Sequence, residues 1–296
     1  MGASTSVPLE RRVPVWIDLV PRLLAHLNIP HVALASHSAG MIYLLNTLYH
    51  CREILHPERP YVAFLAPWVN PTHSRITSMQ MAQFLPTRVF SIWNQIPKFL
   101  LLTATPVLES SGTIVNKVSS VSGTAPSGSG SAQVERNRDR LESEHGMSKE
   151  VQKELEPLTW RFMFEESTQG ANDEALQCLC KGPAGSWGVC EDYERYVREV
   201  VERERNRGHA GGRLVVRGFF AESDTMIGEK GRRYVEGCWR GHGSSYTDSD
   251  SGGFDDAVDF ETAVVPGTDH NTVSQETGLL ERIFLEAGGR RSVGDH

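Results

Sequence analysis

The sequence predicts an α/β fold, a mostly parallel sheet flanked by helices with a helical insertion, and three observations predict it. Short apolar runs of strand length recur at residues 31–35, 64–68, 213–220 and 262–266. Helical periodicity fills much of the chain between them, the alternation that a parallel sheet needs to connect its strands. The first run breaks at Ser36-His-Ser38-Ala-Gly40 and continues as the helical pattern Met41-Ile-Tyr-Leu-Leu-Asn-Thr-Leu48, which reads as strand, tight turn and helix.

The elements follow in order. Residues 13–27 form an amphipathic helix, with Val15, Ile17, Leu19, Val20, Leu23, Leu24 and Leu27 apolar around Pro21. The strand at 31–35, the turn at Ser38 and the helix from Met41 come next, then the strand around Phe64-Leu-Ala-Pro-Trp68. Residues 70–212 are an insertion, a helical cap, in a core made of residues 1–69 and 213–296. Within it, the apolar stretch 84–108 is interrupted by Pro86, Asn94, Gln95, Pro97, Lys98 and Pro106 too often for a membrane span, and reads as short helices. Its Phe90, Trp93, Phe99 and Leu100 either pack the cap on the core or form an acyl- or membrane-facing lid. Residues 119–132 are rich in Ser and Gly and 133–150 are strongly charged, so a segment near 112–148 is expected to be disordered. Helices follow at 149–166 and 192–207, the second with Arg195, Glu199 and Arg203 at i, i+4 spacing on a solvated face. After the strand at 213–220 come a helix at 225–239, an acidic loop at 241–256 and the last short strand.

Composition narrows the function classes. The chain has 296 residues, 39% of them hydrophobic, and a net charge of −7, which disfavours nucleic acid or an anionic membrane as partner. Its five cysteines form no Cys-x-x-Cys pair, so they read as thiols in a reducing, cytoplasmic compartment. Cys178, Cys180 and Cys190 are spaced poorly for tetrahedral zinc. Asp248, Asp250, Gly253 and Asp259 faintly echo a calcium loop, but the flanking helices are absent and Asp255 fills a normally apolar position.

The chemistry centres on Ser38. A sharp turn lifts its hydroxyl clear of the sheet, and the backbone N–H of Ala39 then points at a developing oxyanion. Small residues at 36 and 40 let strand and helix approach closely. Two decoys share the relaxed motif, Ser186 in Ala184-Gly-Ser-Trp-Gly188 and Ser251 in Ser249-Asp-Ser-Gly-Gly253, yet neither follows a strand. Asp224 lies just past the end of the 213–220 strand and His270 just past the last one, so the order is Ser, Asp, His. Asp224 has a second reading as the N-cap of the helix after it, with Glu222 as the substitute acid. His37 reads as a packing or hydrogen-bonding residue and not the base.

At these residues the chain resembles the α/β-hydrolase superfamily, in its esterase and lipase-like branch with a helical cap. The resemblance covers roughly residues 1–110 and 213–290. It implies a serine hydrolase of carboxylic esters in which Ser38 is the nucleophile, His270 the base and Asp224 the acid, with Ala39 in the oxyanion hole. It implies no cofactor and a small-molecule substrate, an apolar acyl ester. Two departures stand out: Ser36 occupies the position where the strict motif has Gly, and the strands and oxyanion loop that precede the elbow strand in that family have no counterpart. The chain is thus expected to begin mid-domain and to leave one sheet edge unpaired, a route to self-association. The alternatives are a non-catalytic α/β-hydrolase-like binding or interaction protein, and an acyltransferase or perhydrolase using the same three residues.

Overall fold

A computed structural model of the chain describes residues 5–87, 128–165, 169–207, 211–242 and 253–288. They divide into two compact units, one of Met1–Val7 and Met81–Lys181, the other of Pro8–Gln80 and Gly182–His296.

The second unit carries the sheet. Four strands, β1 (Leu34–His37), β2 (Tyr61–Leu65), β3 (Leu214–Ala221) and β4 (Val258–Val265), lie in sequence order and are parallel throughout. This is the predicted fold class. Register pairs Leu34 with Val62, Tyr61 with Val215 and Leu214 with Val258, so β1, β2 and β3 stop nearly level at their C-terminal ends. All five residues of β2 are buried, as expected for the continuous apolar run of a strand covered on both faces. Helix α1 (Leu9–His26) precedes β1, and α2 (Gly40–His50) joins β1 to β2. α3 (Pro71–Ser74) and the start of α4 (Thr77–Phe84) follow β2. On one face Tyr61, Ala63, Leu65, Phe219 and Ala221 pack with Val273, Leu279 and Ile283. Each large side chain buried there contributes roughly 1.5–3 kcal/mol.

In the other unit, α5 (Gly128–His145), α6 (Lys149–Glu165) and α7 (Gln169–Cys178) are helical. Helix α5 occupies residues within the stretch near 112–148 expected to be disordered. Arg140 pairs with Glu144 at 2.9 Å along the helix, while Lys149 at the start of α6 reaches back to Glu135 at 2.8 Å and to Asp139. Residues 112–127, like Phe90, Trp93, Phe99 and Leu100, lie outside the described residues. Back in the sheet-bearing unit, α8 (Tyr193–Arg207) precedes β3, α9 (Gly228–Trp239) links β3 to β4, and α10 (Thr277–Glu286) follows β4.

Three strand boundaries also move. β2 spans Tyr61–Leu65, starting and ending three residues before the expected run at 64–68. β1 starts at Leu34, because Val32 makes only an isolated bridge to Leu55, and it runs on to His37 at the turn. β4 begins at Val258, four residues before the expected start. Asp259 and Glu261 hid it, yet Val258 and Phe260 alternate into the core while Arg217 of β3 pairs with Asp259 at 3.0 Å and Glu261 at 3.7 Å. Asp259 is therefore a ladder residue with a cation beside it and no part of a calcium loop; Asp248 and Asp250 lie outside the described residues.

At the β1 edge the apolar face of α1 is only partly used. Val13 is buried and Trp16 donates its indole N–H to Thr47 at 2.9 Å, whereas Leu19, Leu23 and Leu27 stay about half exposed. Among the described residues β1 is hydrogen-bonded to one strand only, β2.

Candidate functional site

The site forms where β1, β3 and β4 end. At the first of these ends, Ser38 takes φ = +52°, the left-handed region that costs an L-residue on the order of 1–2 kcal/mol. Hydrogen bonds hold it there. The Ser38 N–H donates to Leu65 O at 3.0 Å, and Ser38 O accepts from Met41 N at 3.1 Å and Trp68 N at 3.2 Å. Ala39 is the N-cap of α2, so its N–H belongs to the set that a helix cannot satisfy within itself. The turn is tight enough that a Cβ on Gly40 would meet Ser36 Cβ at 3.3 Å. Small residues at 36 and 40 are thus a packing requirement. Ser36 meets it with a buried hydroxyl that has no hydrogen-bond partner among the described residues.

The acid loop after β3 grips the next loop at each of three successive residues. Glu222 accepts from Gly267 N at 2.7 Å, and Ser223 donates both its N–H and its hydroxyl to Thr268 O, each at 3.1 Å. Asp224 Oδ2 faces His270 Nδ1 at 2.9 Å. The other oxygen of Asp224, Oδ1, accepts from Met226 N at 2.9 Å and Ile227 N at 2.8 Å. Asp224 thus closes a turn while facing the histidine, but it is not the N-cap expected of it: the helix after it begins at Gly228, with Ile227 as its cap residue. Glu222, the substitute acid, contacts the backbone of the loop instead of the imidazole.

His270 is buried, and its loop is built by Asp269, whose carboxylate accepts from Asn271 N and Thr272 N, both at 2.9 Å. Its Nε2 lies 2.8 Å from Ser38 Oγ. Because Asp224 can only accept at Nδ1 when ionised, the proton sits on Nδ1 and the Nε2 lone pair faces the serine hydroxyl. An imidazole in this tautomer can draw a proton from Oγ, and the carboxylate behind it stabilises the cation that results. The His270 and Asp224 side chains are each only 6% exposed, which limits competition from water for these bonds.

Ser38, Asp224, His270 and Ala39, spread along the chain, thus converge on one point. Ser186 does not join them; its hydroxyl donates to Pro183 O. Ser251 lies outside the described residues. Sequence reasoning missed the fastening by Glu222 and Ser223, which no local pattern announces, and the specific partner of His37. Burial lowers the pKa of His37 below the ordinary 6.5, so its ring is held neutral.

A crevice with about 30 Å³ of enclosed room is lined by Met41, Trp68, His73, Trp187, Tyr193 and Tyr234 among others, and Ser38, Asp224 and His270 are not in its lining. Asn46 of α2 fixes its wall, donating to Trp187 O at 2.9 Å and accepting from Val189 N at 3.1 Å. Among the described residues no three His, Cys, Asp or Glu side chains are grouped to hold a metal ion, and no helix is long and apolar enough to cross a membrane.

No protein-family model matches the chain, and no curated protein matches it by sequence. Three solved structures align over nearly its whole length. A putative non-heme bromoperoxidase, BpoC, from Mycobacterium tuberculosis H37Rv is 13% identical over 96% of this chain and 75% of its own, with a TM-score of 0.39. A structure from a study of carboxylesterases of the ammonia-oxidizing thaumarchaeon Nitrososphaera gargenis is 12% identical over 96% and 73%, with a TM-score of 0.42. Cfl2 from Burkholderia cenocepacia is 12% identical over 97% and 75%, with a TM-score of 0.37.

Proposed function

We propose that the chain is an α/β-hydrolase-like serine hydrolase of carboxylic esters. The observation that carries this reading is the unbroken chain Asp224 Oδ2, His270 Nδ1, His270 Nε2, Ser38 Oγ, with links of 2.9 and 2.8 Å and the serine at positive φ. Ser38 Oγ attacks the ester carbonyl carbon while His270 Nε2 takes its proton. The tetrahedral oxyanion points at Ala39 N–H, a donor of a kind whose loss costs about 10²–10³ in rate. Collapse expels the alcohol, which receives the proton from His270, and leaves an acyl group on Ser38. Water, deprotonated by the same imidazole, then attacks the acyl carbon and regenerates the serine.

A fluorophosphonate probe together with p-nitrophenyl acetate tests the reading. The wild-type chain is expected to be labelled and to turn over ester, Ser38→Ala to do neither, and Ser186→Ala and Ser251→Ala to keep both. Labelling that survives in Ser38→Ala removes Ser38 as the nucleophile. The exposed apolar face of α1 favours a second reading, an α/β-hydrolase-like interaction protein, for which the wild-type chain stays unlabelled.

A further inference from the structure

We infer that His37 is a positioning residue, a hydrogen-bonded strut from the end of β1 that holds the backbone of His270 and so aims its imidazole at Ser38. The inference rests on the hydrolase reading above and deepens it.

The geometry is direct. His37 Nε2 lies 2.7 Å from the carbonyl oxygen of His270, and the two rings sit 5.3 Å apart at 47°. A carbonyl can only accept, so His37 donates and carries its proton on Nε2. His270 is thereby fixed at three separate atoms: Nδ1 by Asp224, Nε2 by Ser38 and its backbone oxygen by His37. Two of these three fasteners, His37 and Ser38, are adjacent residues. Strand pairing of His37 with Leu65 sets the position of both, so nucleophile and base are referenced to the same strand end across 232 residues of sequence. Without the strut, the one hydrogen bond left between the His270 loop and the Ser38 turn among the described residues would be the one that must itself break and re-form during each reaction.

The charge state suits the role. Burial lowers the pKa of His37, with Asp224 and His270 as its charged and titratable neighbours, so a neutral ring lies beside the imidazolium that forms on His270. A cationic side chain here, such as lysine, would donate the same bond while opposing that charge.

Wild type, His37→Gln, His37→Phe and Ser38→Ala are compared by the rate of fluorophosphonate labelling, by kcat and KM for p-nitrophenyl acetate, and by thermal midpoint. The glutamine Nε2–H reaches the place of the imidazole Nε2–H; phenylalanine keeps the ring and loses the donor. His37→Phe is expected to lower the labelling rate and kcat by about ten- to a hundredfold with KM nearly unchanged, the scale of an ångström-level misplacement of a catalytic group. His37→Gln is expected to regain most of the loss. Nitrogen-15 shifts of the His37 ring, which do not depend on turnover, should report the Nε2–H tautomer. The inference is overturned if His37→Phe keeps its kcat, if glutamine rescues no better than phenylalanine, or if His37 carries its proton on Nδ1. In each of those cases, loss of labelling in Ser38→Ala leaves the hydrolase reading standing. A wild-type chain that is never labelled overturns both.

Discussion

The two flanks of the Ser38 turn are built to different standards. On the side of β3 and β4, Glu222, Ser223 and Asp224 each bond to the following loop, and that loop is closed on itself through Asp269 and Thr272. On the side of β1 and α1, a single strand ladder and a few contacts such as Trp16 to Thr47 secure an element that leaves Leu19, Leu23 and Leu27 half exposed. The difference shows that the position of His270 is over-determined while the packing of α1 is not. Both rate and stability should therefore respond to mutation on the β3 and β4 side, and neither should respond on the exposed face of α1.

The largest effect is expected at Asp224. Asp224→Asn retains an oxygen for Met226 N and Ile227 N but offers the imidazole the wrong tautomeric partner, so kcat should fall by about 10⁴-fold while the thermal midpoint moves little. Asp224→Ala loses the turn as well, and should match the asparagine variant in rate but lie below it in stability by about 1 kcal/mol. Equal midpoints for the two would show that the acid loop does not depend on the turn bonds of Asp224. A smaller effect is expected at Ser223→Ala, which removes one of two donors to Thr268 O; a stability loss of about 1 kcal/mol and a severalfold fall in kcat, read by denaturation and p-nitrophenyl acetate kinetics, would sharpen the contrast. The smallest is expected at the other flank. Leu19→Lys with Leu23→Lys changes exposed positions and should leave folding stability within about 0.5 kcal/mol and kcat unchanged; size-exclusion profiles of the double variant against wild type report whether that face associates. A large loss of stability there would mean that the α1 face is packed and the contrast between flanks is false.

What could be read from the sequence follows the same divide between local and distant causes. That Ser38, Asp224 and His270 come together is legible because each lies within five residues of a strand end, and a strand end is a local pattern of apolar residues stopped by a turn. The start of β4 was not, because Asp259 and Glu261 become acceptable strand residues only once Arg217, 42 residues earlier, stands beside them. Helix α5 is hard to read for a related reason: its charge pattern marks low hydrophobicity, and one of its ties, Glu135 to Lys149 of α6, joins residues 14 positions apart. His37 was placed correctly as a hydrogen-bonding residue, but its acceptor lies 233 positions away on a backbone atom, which no side-chain pattern encodes.

The left-handed backbone at Ser38 sets a direction for how this position can change over generations. Glycine would occupy the same turn without steric cost, so selection for a sturdier fold alone would steadily remove the hydroxyl. A lineage that keeps serine here does so against that drift, and a relative that carries glycine at this position, with Asp224 and His270 intact, would be recognisable as one that had exchanged reactivity for rest.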